Sequence, residues 1–580
     1  MRSILARTET SALLAAVLLL TSGCRGELPG PIPAAHGDGA APTRGGVLEM
    51  ASFADVRALD PANLSDGLAP QMLEAMFAGL VDYDVDGHIV PDLAERWTME
   101  DEGRTFRFVL KQGVRFHDGE ELTAEDVKRS AERALHPSAP NPFASYFESI
   151  AGFSDFAEKK TEHLEGVVVE GRYVVTFRLA KPDAIFLPVL GMPVLRPTCR
   201  SAGARYADTW EPCGAGPFKL APGGWDRGRQ LRLVRHEGYH VPGLPRLDGV
   251  RWTFHVNPTS QRFKLTRGEL DVMRDFLSPD LVAFQADARW KPFGAFESDK
   301  QVNGEAMNTE VPPFDNVEVR RAVAAAIDRD QLRKVRSTNL HVQTRPVPPG
   351  VPGFDAEVPG QTFDLAAALE HMKKAGLAFD PQTGKGGWPH PVPYLVYKQG
   401  LSEGTAQVLA QQLARIGLRL EIRIVNYPTF MAIRGRRKQS AMSPGFWQQD
   451  FPDALSFLEP LWSSHAINDE DSNNCAFYKN PRYDELVDRA RREPTPERRK
   501  RLTSEAQAIL VDEAPWAFTY GYRFYVQQQP YVRENPPHPV WSAELSRTWL
   551  DRAAGPVAAR ALFGAGARGA LASVLEGRPR

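Results

Sequence analysis

The chain has 580 residues but only 4 cysteines, too few for a fold built on disulfides. Neither charge is in excess: 70 Lys and Arg stand against 72 Asp and Glu, a net of −2. That balance excludes a chain-wide basic footprint for nucleic acid and argues against an acidic disordered tail. Long apolar runs are also missing. The run Ala12–Leu20 has nine residues, whereas a membrane-spanning helix needs ~20, so no segment reads as a transmembrane anchor. What is present is ordinary globular material, 42% hydrophobic and 24% charged, so most of the chain folds. The 47 prolines and 47 glycines imply many turns rather than a helical bundle. The length exceeds what one hydrophobic core serves, so two or three lobes are expected.

The N-terminus sets the compartment. Arg2 and Arg7 precede the apolar run, which ends in Leu20-Thr21-Ser22-Gly23-Cys24. This resembles a bacterial lipobox, with Thr21 departing from the usual aliphatic residue; residues 1–24 read as a signal peptide and Cys24 as the lipidated first residue. Residues 25–45, rich in Pro, Gly and Ala, read as a flexible linker. The body is therefore expected to be exported and held to a membrane only through an N-terminal lipid. At the other end, residues 553–580 are Ala/Gly/Arg-rich and are expected to lie outside the fold. Gly564, Gly566 and Gly569 there match a dinucleotide loop only formally, because no strand precedes them.

The body alternates strand and helix patterns. Thr105–Leu110 is an expected strand with Phe106, Phe108 and Leu110 on one face. Thr123 and Asp126 form a capping-box-like start, the Thr side chain accepting from the amide three residues on. The helix behind them carries Val127, Ala131, Ala134 and Leu135 on one stripe. Val167–Val169 and Tyr173–Leu179 flank Glu170-Gly171 as a hairpin, with Gly171 supplying positive φ. Val250, Trp252, Phe254 and Val256 alternate as a half-buried strand. Further on, Val319, Ala322, Val323, Ala326 and Ile327 form a helical stripe. Ala406–Ile416 reads as a helix stopped by Gly417, and Leu418–Ile424 as the following strand. A helix over about 496–511 precedes Trp516–Tyr525, expected as one strand returning to the first half. These patterns predict α/β lobes joined by crossovers near 298–308 and 514–520, a natural hinge.

Several segments in order resemble the dipeptide- and oligopeptide-binding family of solute-binding proteins that feed ABC importers (family 5). Leu59-Asp60-Pro61 and Met76–Leu80 (MFAGL) resemble its opening, and Pro91–Trp97 its P-x-L-A-x-x-W segment. Phe106–Asp126 (FRFVLKQGVRFHDGEELTAED) is the most specific match, followed by the Gly214–Phe218 turn and Val311–Asp328. The resemblance implies a periplasmic binding protein-like α/β fold: two large lobes plus an extra subdomain, linked by two crossovers. The corresponding division is lobe I over 46–80 and 186–300, an extra lobe II over 81–185, lobe III over 301–515, and a return to lobe I over 516–552. It further implies a monomeric binding protein, not an enzyme, with an importer permease as partner and no cofactor or nucleic acid.

It also implies a site in Phe446–Leu458. Asp450 falls where peptide-binding members pair an aspartate with the ligand's α-amino group, which suits a carboxylate in a closed cleft. Trp447 and Phe446 beside it are expected cleft walls, since flat aromatic surface tolerates varied side chains. Gln448-Gln449 and Ala454 depart from the family pattern and leave open a non-peptide cargo such as an oligosaccharide, an opine or a metal complex. Asp453 is the rival carboxylate, and Arg434–Lys438 (RGRRK) reads as a solvated face rather than a carboxylate clamp.

His236-Glu237-Gly238-Tyr239-His240 matches the zinc-peptidase motif H-E-x-x-H, whose chemistry needs both histidines one helical turn apart. Leu231–Arg235 alternates as a strand and Gly238 disfavours a helix interior, so metallopeptidase activity is the remote alternative. His117 has no second ligand beside it, and no metal site is expected. With Cys24 lipidated, Cys199, Cys213 and Cys475 remain in an oxidising compartment. Cys199 and Cys213 close a short loop and are expected to pair, leaving Cys475 unpaired.

Overall fold

The computed structural model describes residues 41–64, 68–297, 300–336, 339–398, 402–538, 540 and 542–557. The signal and lipidation site at Cys24 lie outside these, as do most of the linker and the C-terminal tail. A seven-stranded sheet forms the first lobe, in the order Gly294–Phe296, Tyr525–Gln528, Val272–Met273, Val47–Ala51, Gly249–Thr253, Gln230–Arg235, Phe218–Asp226. Val47–Ala51 is parallel to Gly249–Thr253, with Met50 opposite Trp252. Leu48, Met50, Val250, Trp252, Leu231 and Leu233 are all buried, so the period-two pattern points one face of this sheet into the core.

A four-stranded sheet (Ala94–Glu100, Thr105–Leu110, Val174–Arg178, Val167–Gly171) forms the extra lobe. Phe106, Phe108 and Leu110 are buried as the alternation predicts, and Phe108 meets Phe177 edge-on at 5.9 Å. Each fully buried phenylalanine contributes about 1.5–3 kcal/mol of burial energy. Helix Ala124–Leu135 covers this sheet with its predicted stripe inward. Its cap closes from the carboxylate side: Asp126 Oδ2 accepts from the Thr123 amide at 3.0 Å and from the Thr123 hydroxyl at 2.9 Å. The hairpin forms, but Gly171 pairs with Val174 and has no positive φ. The turn falls on Arg172-Tyr173 instead.

The second large lobe is a five-stranded sheet in the order Leu420–Val425, Val392–Tyr397, Met442–Gln448, Gln301–Met307, Trp516–Phe518. Helix Val317–Ala326 buries Val319, Ala322, Val323 and Ala326. Helix Ser402–Ala414 leads into Gly417 at φ +80°, and a Cβ at this position would lie 2.7 Å from Gly387 Cα. Positive φ and this close approach both demand glycine, so the helix stop read from the sequence has a backbone cause.

The chain changes sheets twice. It leaves the first sheet after Gly294–Phe296 and pairs in the second from Gln301 onward. On the way back, Trp516–Phe518 still pairs with Gln301–Met307, and Tyr525–Gln528 pairs with Gly294–Phe296. The outgoing and returning segments thus run side by side in both lobes. Trp516–Tyr525 is three strands rather than one, with Tyr520–Tyr522 paired to Leu340–Val342 in between. A segment that moves from one sheet to another has no single partner along its length, and the return begins beyond the 515/516 boundary read from the sequence. The second crossing therefore lies between Phe518 and Tyr525, later than expected.

Candidate ligand cavity

A cavity of about 550 Å³ opens where the lobes meet. Small-molecule sites typically occupy roughly 300–1,000 Å³. The first lobe contributes Arg274, Asp275 and Tyr525, the extra lobe Phe143, and the second sheet's end Gln449 and Asp450. Strand Met442–Gln448 runs antiparallel to Gln301–Met307, and the ladder continues by one bond from the Gln449 amide to the Lys300 carbonyl at 2.8 Å. The chain then turns, and the Asp450 amide donates to Ser456 Oγ of helix Leu455–Trp462 at 2.9 Å. Asp450 is therefore held between the end of a sheet and the start of a helix, on the cavity wall.

Its carboxylate accepts the Tyr146 hydroxyl at 2.6 Å. Burial pushes the Asp450 carboxyl up to about 7, with the tyrosine hydrogen bond opposing that shift. Among the described residues no cation offsets the burial. Asp453, the rival carboxylate, has a partner: Arg499 lies 3.1 Å away and the Leu455 amide donates to it at 2.9 Å. The two aspartates thus differ in kind, one tied into the fold and the other left facing the cavity.

Trp447 and Phe446 do not line the cavity. They alternate on a strand and point to opposite faces. Phe446 joins Tyr397, Tyr427 and Phe430, with the Arg434 guanidinium 4.8 Å from its ring centroid, and Trp447 packs on the main core. Phe143, Phe524 and Tyr525 supply the aromatic wall instead. The RGRRK run is also spoken for: Arg437 binds Glu310 at 2.7 Å and Asp469 at 3.1 Å, and Arg434 is buried under the aromatic cluster.

The sequence reading missed Arg274, Glu297 and Lys300. Burial lowers the Lys300 ammonium to about 8, and its Nζ donates to the His538 carbonyl at 3.0 Å. Arg274 is ion-paired with Glu297. Asp275 accepts from Gln261 Nε2 at 2.6 Å and from the Phe53 amide at 2.9 Å. These groups come from separate segments and share no spacing motif. Only the expected crossover near 298–308 pointed to Lys300.

The zinc motif does not form. His236 to His240 lie in a turn after strand Gln230–Arg235, not on a helix. His236 Nδ1 faces the Gly216 carbonyl at 3.1 Å, while His240 Nε2 bonds Asp92 at 2.9 Å. His117 stacks edge-on against His236 at 4.9 Å, and burial holds it down at about 3, so it stays neutral. Asp84, Asp86 and His88 do approach one another in a surface turn, a grouping the sequence reading did not foresee. One Asp84 oxygen there already accepts from the Asp86 and His88 amides. Cys199 and Cys213 are joined, with Cα atoms 5.4 Å apart, and Cys475 is buried and unpaired.

The family described as bacterial extracellular solute-binding proteins, family 5 Middle, matches residues 88–469. The chain belongs to this family. Its members are periplasmic or extracellular binding proteins, and no described helix here is long and apolar enough to cross a membrane. This solute-binding protein is 27% identical over 534 residues to the probable deoxycholate-binding periplasmic protein YgiS of Escherichia coli K12, covering 86% of this chain and 93% of that one. It is 28% identical over 466 residues to the glutathione-binding protein GsiB of Salmonella typhi, covering 79% and 85% respectively. Its fold matches the ABC transporter-associated periplasmic binding protein DppA from Helicobacter pylori, solved in complex with peptide STSA. That match has a TM-score of 0.70 at 24% identity and covers 88% of this chain and 99% of the other.

Proposed function

We propose that this solute-binding protein captures oligopeptides in the interlobe cavity by their free α-amino end and delivers them to the permease of an ABC importer. The observation that carries this reading is the Asp450 carboxylate, which opens on the cavity and, among the described residues, has one hydrogen-bond donor but no cation. A buried carboxylate is stabilised by a positive partner, and an incoming ammonium supplies one. The Tyr146 hydroxyl fixes the carboxylate in place before the ligand arrives. Backbone contacts within the cavity then leave side-chain identity open.

Delivery rests on closure. The lobes are linked by adjacent crossing strands, and a ligand touching both lobes binds the closed state more tightly and shifts the population toward it. The protein is a monomer that binds without catalysis, and lipid on Cys24 keeps it at the membrane beside its permease.

A second reading keeps the fold and changes the cargo to a non-peptide solute. The apolar part of the cavity wall, Leu64, Leu68, Pro142 and Met192, favours it, as does the deoxycholate in the name of YgiS. Titration of a peptide pool into wild type and Asp450→Ala separates the two. Loss of about tenfold or more in affinity supports the amine contact. An unchanged affinity points to a neutral or apolar ligand.

A further inference from the structure

An edge strand leaves a row of backbone N–H and C=O groups unpaired, and folded proteins blunt such edges by keeping them short or breaking their register. Among the described residues the three large sheets have six edge strands. Gly294–Phe296 and Trp516–Phe518 have three residues each. Phe218–Asp226, Ala94–Glu100 and Val167–Gly171 are each interrupted by a register shift. Leu420–Val425 is the exception. It has six residues, no proline or glycine, and an unbroken parallel ladder to Val392–Tyr397 on its one paired side.

The open side of this strand is defined residue by residue. The Val392 and Lys398 amides donate to the Arg419 and Val425 carbonyls at 2.8 and 2.9 Å. Backbone groups of alternate residues turn to alternate sides of a strand, so the odd-numbered residues 419–425 face that ladder. The N–H and C=O groups of Leu420, Ile422 and Ile424 therefore face the open side. Side chains alternate as well: Leu420 and Ile422 pack on the second-lobe core, and Ile424 beyond them is 44% exposed. Glu421 and Arg423 stand on the opposite face, exposed and 3.2 Å apart.

This strand is complementary to itself. Antiparallel pairing about a two-fold at Ile422 sets Leu420 opposite Ile424 of the second copy, and Glu421 opposite Arg423 of the second copy. The residues with open backbone groups then meet one another. The two charged pairs take the non-hydrogen-bonded positions, where side chains approach closest. Sliding the second copy by two residues either way sets Glu421 on Glu421 or Arg423 on Arg423, which like-charge repulsion disfavours. Charge thus selects one register.

We infer that Leu420–Val425 is a self-association edge, at which two copies of this chain join reversibly and continue one five-stranded sheet into the other. The partner is a second copy because the strand's own charges complete the match. None of residues 420–425 lines the interlobe cavity, so the single chain remains the binding unit and the pairing does not depend on the peptide reading. One strand per copy buries much less than the roughly 1,200 Å² of the smallest stable interfaces. The protein is therefore single when dilute and pairs as it is concentrated.

Sedimentation velocity of the ligand-free protein, from about 1 µM to about 500 µM, tests this. Wild type is expected to move from one chain toward two across that range. Arg423→Glu and Glu421→Arg each set like charges together at both pairs and should weaken association by about tenfold or more. Mixed in equal amounts the two variants should associate again, since each offers the charge the other lacks. Both positions are exposed, and circular dichroism melts check that both variants fold. A wild type that stays single throughout overturns the inference and leaves the edge to a strand from another protein. Association that survives unchanged in both variants, or variants that stay apart when mixed, overturns it as well. The experiment uses no ligand, so failure here leaves peptide capture untouched.

Discussion

The Tyr146 hydroxyl donates a 2.6 Å hydrogen bond to Asp450 Oδ2 across 304 residues of sequence. Tyr146 sits in the short 3-10 turn Ala144–Phe147 of the extra lobe, stacked on Phe143 and edge-on to Phe451, whereas Asp450 lies two residues beyond the strand Met442–Gln448 of the second large lobe. One bond therefore joins two lobes and orients the carboxylate proposed to meet the ligand. Tyr146→Phe removes the group that holds the Asp450 carboxyl down, so its titration should move above about 7. Carbon-13 NMR of labelled aspartate reads that shift directly. Peptide affinity at neutral pH should weaken with it, by several-fold.

Asp450 also links stability to pH. Its carboxyl titrates at about 7 when folded, against about 3.9 for an unperturbed aspartate. The raised value means that the folded chain binds a proton the unfolded chain has lost. Below about pH 4 both states are protonated and there is no penalty. The cost grows as pH rises between about 4 and 7 and reaches at most about 4 kcal/mol above that. Asp450→Asn should therefore raise the melting temperature of the ligand-free protein at pH 8 and leave it nearly unchanged at pH 4. The opposite pattern would mean that the carboxylate is stabilised in the fold.

Binding should follow the same titration. An ammonium ligand needs the ionised carboxylate, so peptide affinity should increase as pH is raised through about 7. Calorimetry in buffers of different ionisation enthalpy should show proton release on binding near that pH.

A buried ion network ties the extra lobe to the second large lobe. Arg491 meets Asp183 at 3.1 Å and also pairs with Glu459, and the Ala184 amide donates to the Arg491 carbonyl at 2.6 Å. Asp183 is fully buried at its side chain. Asp183→Ala leaves the buried guanidinium with Glu459 alone and should cost up to about 3–5 kcal/mol. Urea denaturation measures it, and a loss below about 1 kcal/mol would show that the network relaxes freely.

The bridge between Cys199 and Cys213, separated by 14 residues, closes a loop near the Gly214–Phe218 turn. A loop of about 15 residues is worth roughly 3 kcal/mol through the unfolded chain. The double variant Cys199→Ala/Cys213→Ala should be less stable by about 2–4 kcal/mol. Intact mass before and after reduction checks the bond itself, while Cys475, buried with its thiol pushed up, should resist alkylation in the folded protein.

Local patterns were the most legible part of this sequence. The alternation in Thr105–Leu110, the stripe of Val319, Ala322 and Val323, and the stop at Gly417 each follow from side-chain period or backbone sterics, which act over a few residues. Trp516–Tyr525 was misread as one strand because its pattern is continuous while its partners change from one sheet to another. The site divides in the same way. Asp450 came from a family resemblance, and the structure places it on the cavity wall. Phe446 and Trp447 were adjacent in sequence, but strand alternation turns them to opposite faces and off the cavity. Lys300, Arg274 and Glu297 carry no local motif, since only the crossing of the chain between lobes brings them together.

The central claim is that the cavity recognises a free peptide amine through Asp450. Isothermal titration of the wild-type protein at pH 8, against one peptide pool with free N-termini and the same pool N-acetylated, tests it most directly. The account predicts measurable binding of the free pool and a loss of about tenfold or more on acetylation. Equal binding of the two pools, or binding of neither, would contradict it.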